Sequence, residues 1–180
     1  LVGSCAEYDF NKKILKENFI KKINHTRYSI CKETFLYQAE KISRKFNSQF
    51  IWCRLFWIYG KNQQRGKLIT DLIYSARNNK MIKIKNPGFM VNLLNVYDVS
   101  MAIFKVFESK ITGIVNIADR KNLKVIEIVK KFKNIFKNYK LNYQLNKIQY
   151  FKPYSVEIKK LNQIKFNKYY SLEKGLKKFL

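Results

Sequence analysis

The 180-residue chain is poor in the residues that punctuate, cross-link or ligate: six glycines, two prolines, three cysteines and one histidine. The few glycines and prolines leave no flexible linker and no low-complexity stretch. The cysteines, Cys5, Cys31 and Cys53, are odd in number and scattered, which excludes a disulfide framework and a zinc-ligand spacing. Buried thiols in a reducing cytosol are the expectation. No apolar run reaches the length of a membrane span, and no signal peptide opens the chain. There is also no Gly-rich strand-to-helix turn of the dinucleotide-binding type. The sequence starts at Leu1 and runs directly into apolar residues, so the expectation is a fragment or truncated reading frame.

Acidic residues are scarce as well, 12 against 37 lysines and arginines, for a net charge of +25. A basic chain can hold nucleic acid through phosphate contacts. Only six of the basic residues are arginine, however, and the positive charges are spread among Asn, Ile, Tyr and Phe along the whole chain. That mixture fits an AT-rich genome better than a nucleic-acid site. The field can still draw an anionic substrate toward the protein. Apolar residues make up 47% of the chain, which excludes a disordered one and supplies one sizeable core.

Periodicity predicts alternating strands and helices, hence an α/β fold. Leu1-Val2-Gly3 reads as the end of a buried strand, and Asp9 to Lys22 as a surface loop. Tyr28 to Phe46 reads as a helix with Cys31, Phe35, Ala39, Ile42 and Phe46 on one face. Phe50 to Phe56 reads as a strand buried on both faces. Leu68 to Ala76 is a helix, and Met81–Ile84 and Leu93–Val96 are short strands. Asp98 is placed to cap a helix carrying Val99, Ala102, Ile103, Val106 and Phe107 inward. Ile114–Ile117 is a strand, followed by a helix with Val125, Ile128, Val129, Phe132 and Phe136 inward. Leu141–Leu145 is the last strand, and two short helices, near Val156–Asn162 and Ser171–Phe179, close the chain. Lys121, Lys124 and the run Lys130-Lys131-Phe132-Lys133 form a solvated face.

Tyr28 and Lys32 are spaced i, i+4 and so share one helix face. An ammonium about 6 Å from a phenol, at an effective dielectric of about 20, favours the phenolate by roughly 2.8 kcal/mol. Tyr28 is thereby a candidate general base. His25, three residues earlier, reads as an ordinary loop residue, with a substrate contact as the alternative.

Ser4 at a strand end, Tyr28-Ser29-Ile30-Cys31-Lys32 on a helix, and a strand ending Arg54-Leu55-Phe56-Trp57-Ile58-Tyr59-Gly60 occur in that order. Downstream come Asn95-Val96-Tyr97-Asp98-Val99, Gly113-Ile114-Val115-Asn116-Ile117-Ala118 and Ser171-Leu172-Glu173-Lys174-Gly175-Leu176. Together these resemble the extended short-chain dehydrogenase/reductases of the NAD-dependent epimerase/dehydratase type, over nearly the whole chain. The resemblance implies the C-terminal part of a Rossmann-type parallel-sheet domain with a smaller mixed substrate-binding subdomain. Residues 1–60 would carry the end of the Rossmann-type domain, 61–180 mainly the substrate subdomain, and 95–120 would return to the Rossmann sheet.

The resemblance also implies roles. Ser4 would hydrogen-bond the reacting sugar oxygen, Tyr28 would move its proton, and Lys32 would hold the nicotinamide ribose of NAD or NADP. Phe56 lies where the family chain passes the nicotinamide, with core packing as the other reading. Lys67 could meet a substrate phosphate, with a solvated surface lysine as the other reading. A homodimer through the Tyr28/Lys32 helix, a nucleotide-sugar substrate and a cytoplasmic location follow from the same resemblance. Three positions depart from it. Ala6 stands where the dehydratases have a Glu, and Glu7 would point elsewhere, which favours epimerisation or keto-sugar reduction over dehydration. Val91-Asn92-Leu93 replaces an Arg-Asp-Phe whose arginine grips a diphosphate, and Trp57 replaces a frequent Asn. A non-catalytic binding or regulatory relative is therefore the alternative, and a basic nucleic-acid-binding domain a third and weaker one.

Overall fold

The computed structural model describes residues 1–18, 26–147 and 150–179. In chain order, β1 (Val2–Ser4) enters a 3-10 turn (Cys5–Glu7) and the short strand β2 (Ile14–Leu15), and α1 (Arg27–Lys45) leads to β3 (Ile51–Leu55) and β4 (Trp57–Tyr59). Next come α2 (Leu68–Arg77), β5 (Ile82–Ile84), β6 (Met90–Val91), β7 (Leu93–Asn95), α3 (Val96–Glu108) and β8 (Gly113–Ile117). β9 (Leu123–Lys124), α4 (Val125–Ile135), β10 (Tyr143–Leu145), β11 (Ser155–Val156), α5 (Lys159–Gln163) and α6 (Leu172–Lys177) complete the order.

The apolar run of β3 is central because it is the middle strand of a parallel sheet ordered β1-β3-β8. Its register sets Val2, Cys53 and Val115 side by side, and Gly3, Arg54 and Asn116 beside them on the opposite face. The Cys53/Val115 face packs on Val99, Ala102 and Val106 of α3 and on Leu161 of α5. Burial there pushes the Cys53 thiol pKa up, so it stays a protonated core residue. On the opposite face the Trp52 ring meets Phe35 of α1 edge-on at 5.4 Å. A side chain on Gly3 would collide with the Trp52 indole, so a bulkier residue is barred from that position. Two shorter parallel pairs, β4 with β7 and β5 with β10, extend the structure beyond this sheet. A second cluster joins α2, α4 and α6 around Leu72, Phe132 and Leu176, with Phe136 stacked on Phe132 at 4.1 Å.

The structure corrects several sequence expectations. Residues 9–18 are more than a surface loop: β2 pairs with β11, and Leu15 and Glu17 are buried. Residues 19–22 of that expected loop, and His25, lie outside the described residues. β11 follows β10, so Leu141–Leu145 is not the last strand. Cys31 is exposed. The α1 stripe is also different: Phe35, Ile42 and Phe46 are largely exposed, while Ser29, Leu36 and Ser43 are buried. Small serines pack closest because their hydroxyls reach nearby carbonyls, Thr26 O for Ser29 and Ser48 O for Ser43. Phe107 is 75% exposed rather than inward. Lys131 is half-buried and pairs with Glu173, so the basic run is only partly a solvated face.

Asn95, not Asp98, caps α3, accepting the Tyr97 N–H at 2.9 Å. Asp98 instead is buried and accepts the backbone N–H groups of Tyr169, at 2.6 Å, and Tyr170, at 3.1 Å. It anchors the segment that leads into α6. In α6 itself, Gly175 faces the Tyr59 hydroxyl so closely that a Cβ there would overlap it. Gly113 has a φ of +74°, the left-handed region where glycine is unstrained, at the turn into β8.

Asp98→Ala should leave two backbone donors unpaired and cost about 2–4 kcal/mol in urea denaturation. Gly175→Ala should destabilise by about 1–3 kcal/mol through overlap with Tyr59, although alanine is the better helix former. A Tyr59→Phe background should recover part of that loss, measured by the same denaturation.

Candidate active site

Ser4 closes β1 and opens the 3-10 turn, where its Oγ accepts the Ala6 N–H at 3.2 Å. A serine hydroxyl that accepts still has its proton to donate. The turn packs against α1. That helix starts with a reciprocal cap: Thr26 Oγ1 accepts Ser29 N–H at 3.1 Å, and Ser29 Oγ accepts Thr26 N–H at 2.9 Å. The cap fixes where the helix begins, and therefore where Tyr28 and Lys32 emerge. Lys32 Nζ lies 6.0 Å from the Tyr28 ring centroid, one turn away as the spacing requires. Lys32 Nζ also donates to Val2 O at 2.9 Å, which brings the ammonium within two residues of Ser4. Tyr28 is 55% exposed, so its hydroxyl is open to a reactant. Lys32 thus reaches β1 two residues before Ser4, and Tyr28 stands one helical turn from Lys32.

Behind Ser4 lies a network that sequence reading missed. Glu7 does point away from the site, into the core. Its carboxylate accepts the Ser4 N–H at 2.6 Å, Trp52 Nε1 at 3.1 Å and Arg54 Nε at 2.6 Å. The Glu7 and Arg54 side chains are fully buried. Arg54 Nη1 donates to Tyr8 Oη at 2.9 Å, and that hydroxyl lies 2.8 Å from both Lys16 O and Asn116 Oδ1, to one of which it donates. Burial raises the Tyr8 pKa despite the adjacent guanidinium, so it is held as a neutral donor. Asn116 Nδ2 donates to Leu15 O and Glu157 O, and its backbone N–H reaches Glu17 Oε1 at 3.1 Å. The signal was there to find: an arginine inside an apolar strand needs a buried partner.

The remaining candidates fall elsewhere. Phe56 is buried with Cys5, Tyr8, Leu15, Ala118 and Tyr154, its ring 6.0 Å from Tyr8. This is a core position. Lys67 is exposed at the start of α2, whose apolar face joins the α4 and α6 cluster rather than the β1 sheet. Val91 is buried, and Asn92 is tied to the loop after β8, donating to Asp119 O and Asn122 Oδ1 at 2.8 Å each. Among the described residues no group of His, Cys, Asp and Glu could hold a metal ion, and no helix is long and apolar enough to cross a membrane.

Arg54→Met should strand the Glu7 carboxylate in the core and cost about 3–5 kcal/mol by chemical denaturation. Adding Glu7→Gln should recover part of it, because the uncompensated charge is then gone.

A search of the curated proteins found no significant match. Among solved structures the fold matches RMD from Pseudomonas aeruginosa complexed with NADPH, with a TM-score of 0.86 and 12% identity, over 99% of this chain and 64% of that one. It also matches UDP-glucuronic acid 4-epimerase from Bacillus cereus in complex with NAD, with a TM-score of 0.82 and 17% identity, over 97% and 55%. A third is UDP-glucose 4-epimerase from Thermotoga maritima with UDP-glucose, with a TM-score of 0.83 and 18% identity, over 98% and 60%. The chain therefore spans about 55–64% of the length of these structures. Its fold is α/β, that of the C-terminal part of a Rossmann-type epimerase. The family profile described as "NAD dependent epimerase/dehydratase family" matches residues 1–118, well over half of the chain, and the chain belongs to that family.

Proposed function

We propose that this chain is the sugar-facing part of an NAD(P)-dependent epimerase or reductase of a nucleotide-activated sugar. The observation that carries the reading is the pairing of Tyr28 and Lys32 on one turn of α1, with Lys32 bonded to β1 two residues before Ser4. Ser4 donates its hydroxyl proton to the reacting sugar oxygen. Tyr28 takes the proton from the sugar hydroxyl, or returns it to the keto oxygen, as general base and acid. Lys32 orients the nicotinamide ribose. The residues present fit that end of the cofactor: an ammonium has three donors, of which one is on Val2 O. When bound, the nicotinamide supplies the acceptor and donor of hydride at the sugar carbon. The neighbours named with NAD, NADPH and UDP-sugars support the cofactor and substrate class.

In this reading residues 1–60 and 95–120 serve the cofactor side and the rest of 61–180 the substrate side. Phe56 acts from the core, behind the stretch of chain that would pass the nicotinamide, and Lys67 stands as a surface charge available to a phosphate. A homodimer through α1 and a cytoplasmic location belong to the same proposal. Glu7 is committed to Arg54 and cannot serve as a second acid near the sugar, which supports epimerisation or reduction over dehydration. The pyrophosphate of a dinucleotide needs the backbone N–H groups of a Gly-rich turn at a helix N-terminus, and the 180 residues hold none.

The isolated chain should therefore show no measurable NAD(P) binding in calorimetry at ordinary cofactor concentrations. Joined to an upstream half carrying a Gly-x-x-Gly-x-x-Gly turn, it should bind the cofactor and turn over a nucleotide sugar. Tyr28→Phe in that protein should lower turnover by about 10²–10⁴-fold and leave cofactor affinity nearly unchanged. Tight NAD(P) binding by the isolated chain, or full activity of the variant, would overturn the proposal.

A further inference from the structure

The net charge of +25 is spread along the sequence and by itself marks no site. One surface feature of the fold gives part of it a place. Tyr97, in the first turn of α3, meets Tyr169 and Tyr170, which stand just before α6. The Tyr97 ring centroid lies 5.9 Å from that of Tyr169 and 5.6 Å from that of Tyr170, and those two are 4.9 Å apart. Lys174 and Lys178, spaced i, i+4, stand over these rings. Lys174 Nζ is 3.5 Å from the Tyr169 centroid, and Lys178 Nζ is 4.7 Å from that of Tyr170. Tyr170 is buried, whereas Tyr97 is 48% and Tyr169 60% exposed. Single exposed aromatics need no explanation, but two exposed rings packed on a third form a surface. The acids beside the cluster in sequence do not offset its lysines. Asp98 is buried on the Tyr169 and Tyr170 N–H groups, and Glu173 pairs with Lys131. The Asp98 tether also fixes the backbone that carries the rings, so little freedom is left to lose when a ligand stacks on them.

Two exposed phenol rings flanked by two ammonium groups match the alternation of base and phosphate along a single strand of nucleic acid. Bases stack on aromatic faces whatever their sequence, and lysines neutralise the phosphates between them. A lipid surface would instead require aliphatic side chains turned outward, and α6 turns Leu172 and Leu176 into the core. We propose that Tyr97, Tyr169, Lys174 and Lys178 form a binding site for single-stranded nucleic acid, with bases stacked on the two exposed rings. The Lys174 ammonium leaves the Tyr169 ring for a phosphate as a base takes its place. The site uses neither Ser4, Tyr28 nor Lys32, so it stands apart from the proposed enzymatic function.

The test is fluorescence anisotropy of a labelled oligothymidylate of about 15 nucleotides, a length within the range one single-strand site covers, titrated with the full 180-residue chain at several salt concentrations. Tyr97→Ala and Tyr169→Ala should each weaken binding by roughly 5- to 150-fold, with the fold intact by circular dichroism. Tyr169→Phe keeps the ring and should stay within about twofold. Lys174→Gln with Lys178→Gln should lower the slope of log affinity against log salt by about 1.4, the figure for two phosphate contacts on a single strand. Lys41→Gln with Lys110→Gln, exposed on α1 and just beyond the far end of α3, should leave that slope nearly unchanged. Absence of binding, or binding that the tyrosine substitutions to alanine leave unchanged, would overturn the proposal. So would a slope lowered as much by the Lys41/Lys110 pair as by the Lys174/Lys178 pair, which would assign binding to the general positive field. Retention on phosphatidylglycerol vesicles that depends on Tyr169, without oligonucleotide binding, would assign the patch to a lipid surface and overturn it as well.

Discussion

Glu7 and Arg54 sit 2.6 Å apart with no solvent on either side chain, and much of the local architecture is arranged around keeping that pair satisfied. Two charges withdrawn from water cost several kcal/mol each unless every remaining donor and acceptor finds a partner. Trp52, Ser4, Tyr8 and, through Tyr8, Asn116 supply those partners. The result ties the turn after β1 to β3 and β8 by side chains as well as by the ladder. Ser4 is positioned because its own backbone N–H is one of the ligands of the buried carboxylate. The strand end that carries Ser4 is therefore braced by a buried carboxylate.

Much of this was legible in the sequence, for reasons that differ by residue. The i, i+4 spacing sufficed to put Tyr28 and Lys32 on one turn, since helix geometry leaves no other outcome. The strand at Ile51–Leu55 was legible from its apolar run. Which face of α1 would be buried was not, because periodicity reports where apolar residues lie and not what stands opposite them. Phe35 and Ile42 make an apolar stripe that lies along an open groove, while Ser29 and Ser43, with self-satisfied hydroxyls, take the buried places. Asp98 was misread for a related reason. A carboxylate at a helix start is a natural cap, and only the tertiary fold brings Tyr169 and Tyr170 to it from 71 and 72 residues away.

Three of the twelve acids are spent inward. Glu7, Glu17 and Asp98 are buried and serve as internal acceptors, so an already one-signed surface has still fewer negative charges to offset it. Burial raises the Glu17 pKa against the Asn116 N–H that stabilises the charged form. A positive field of this extent favours the approach of anions from solution.

The tether from Asp98 to residues 169 and 170, and the fit of Gly175 beneath Tyr59, also set a timetable for folding. Contacts that bridge seventy or more residues are made late, after the loop between them has lost its conformational freedom. During synthesis α3 and Tyr59 would emerge from the ribosome long before their partners exist. Until the segment through Leu176 is made, the Asp98 carboxylate must stay hydrated and the α2/α4 cluster must present the surface that α6 later covers. An apolar face thus stays uncovered until α6 is made, the condition under which chaperones engage a chain.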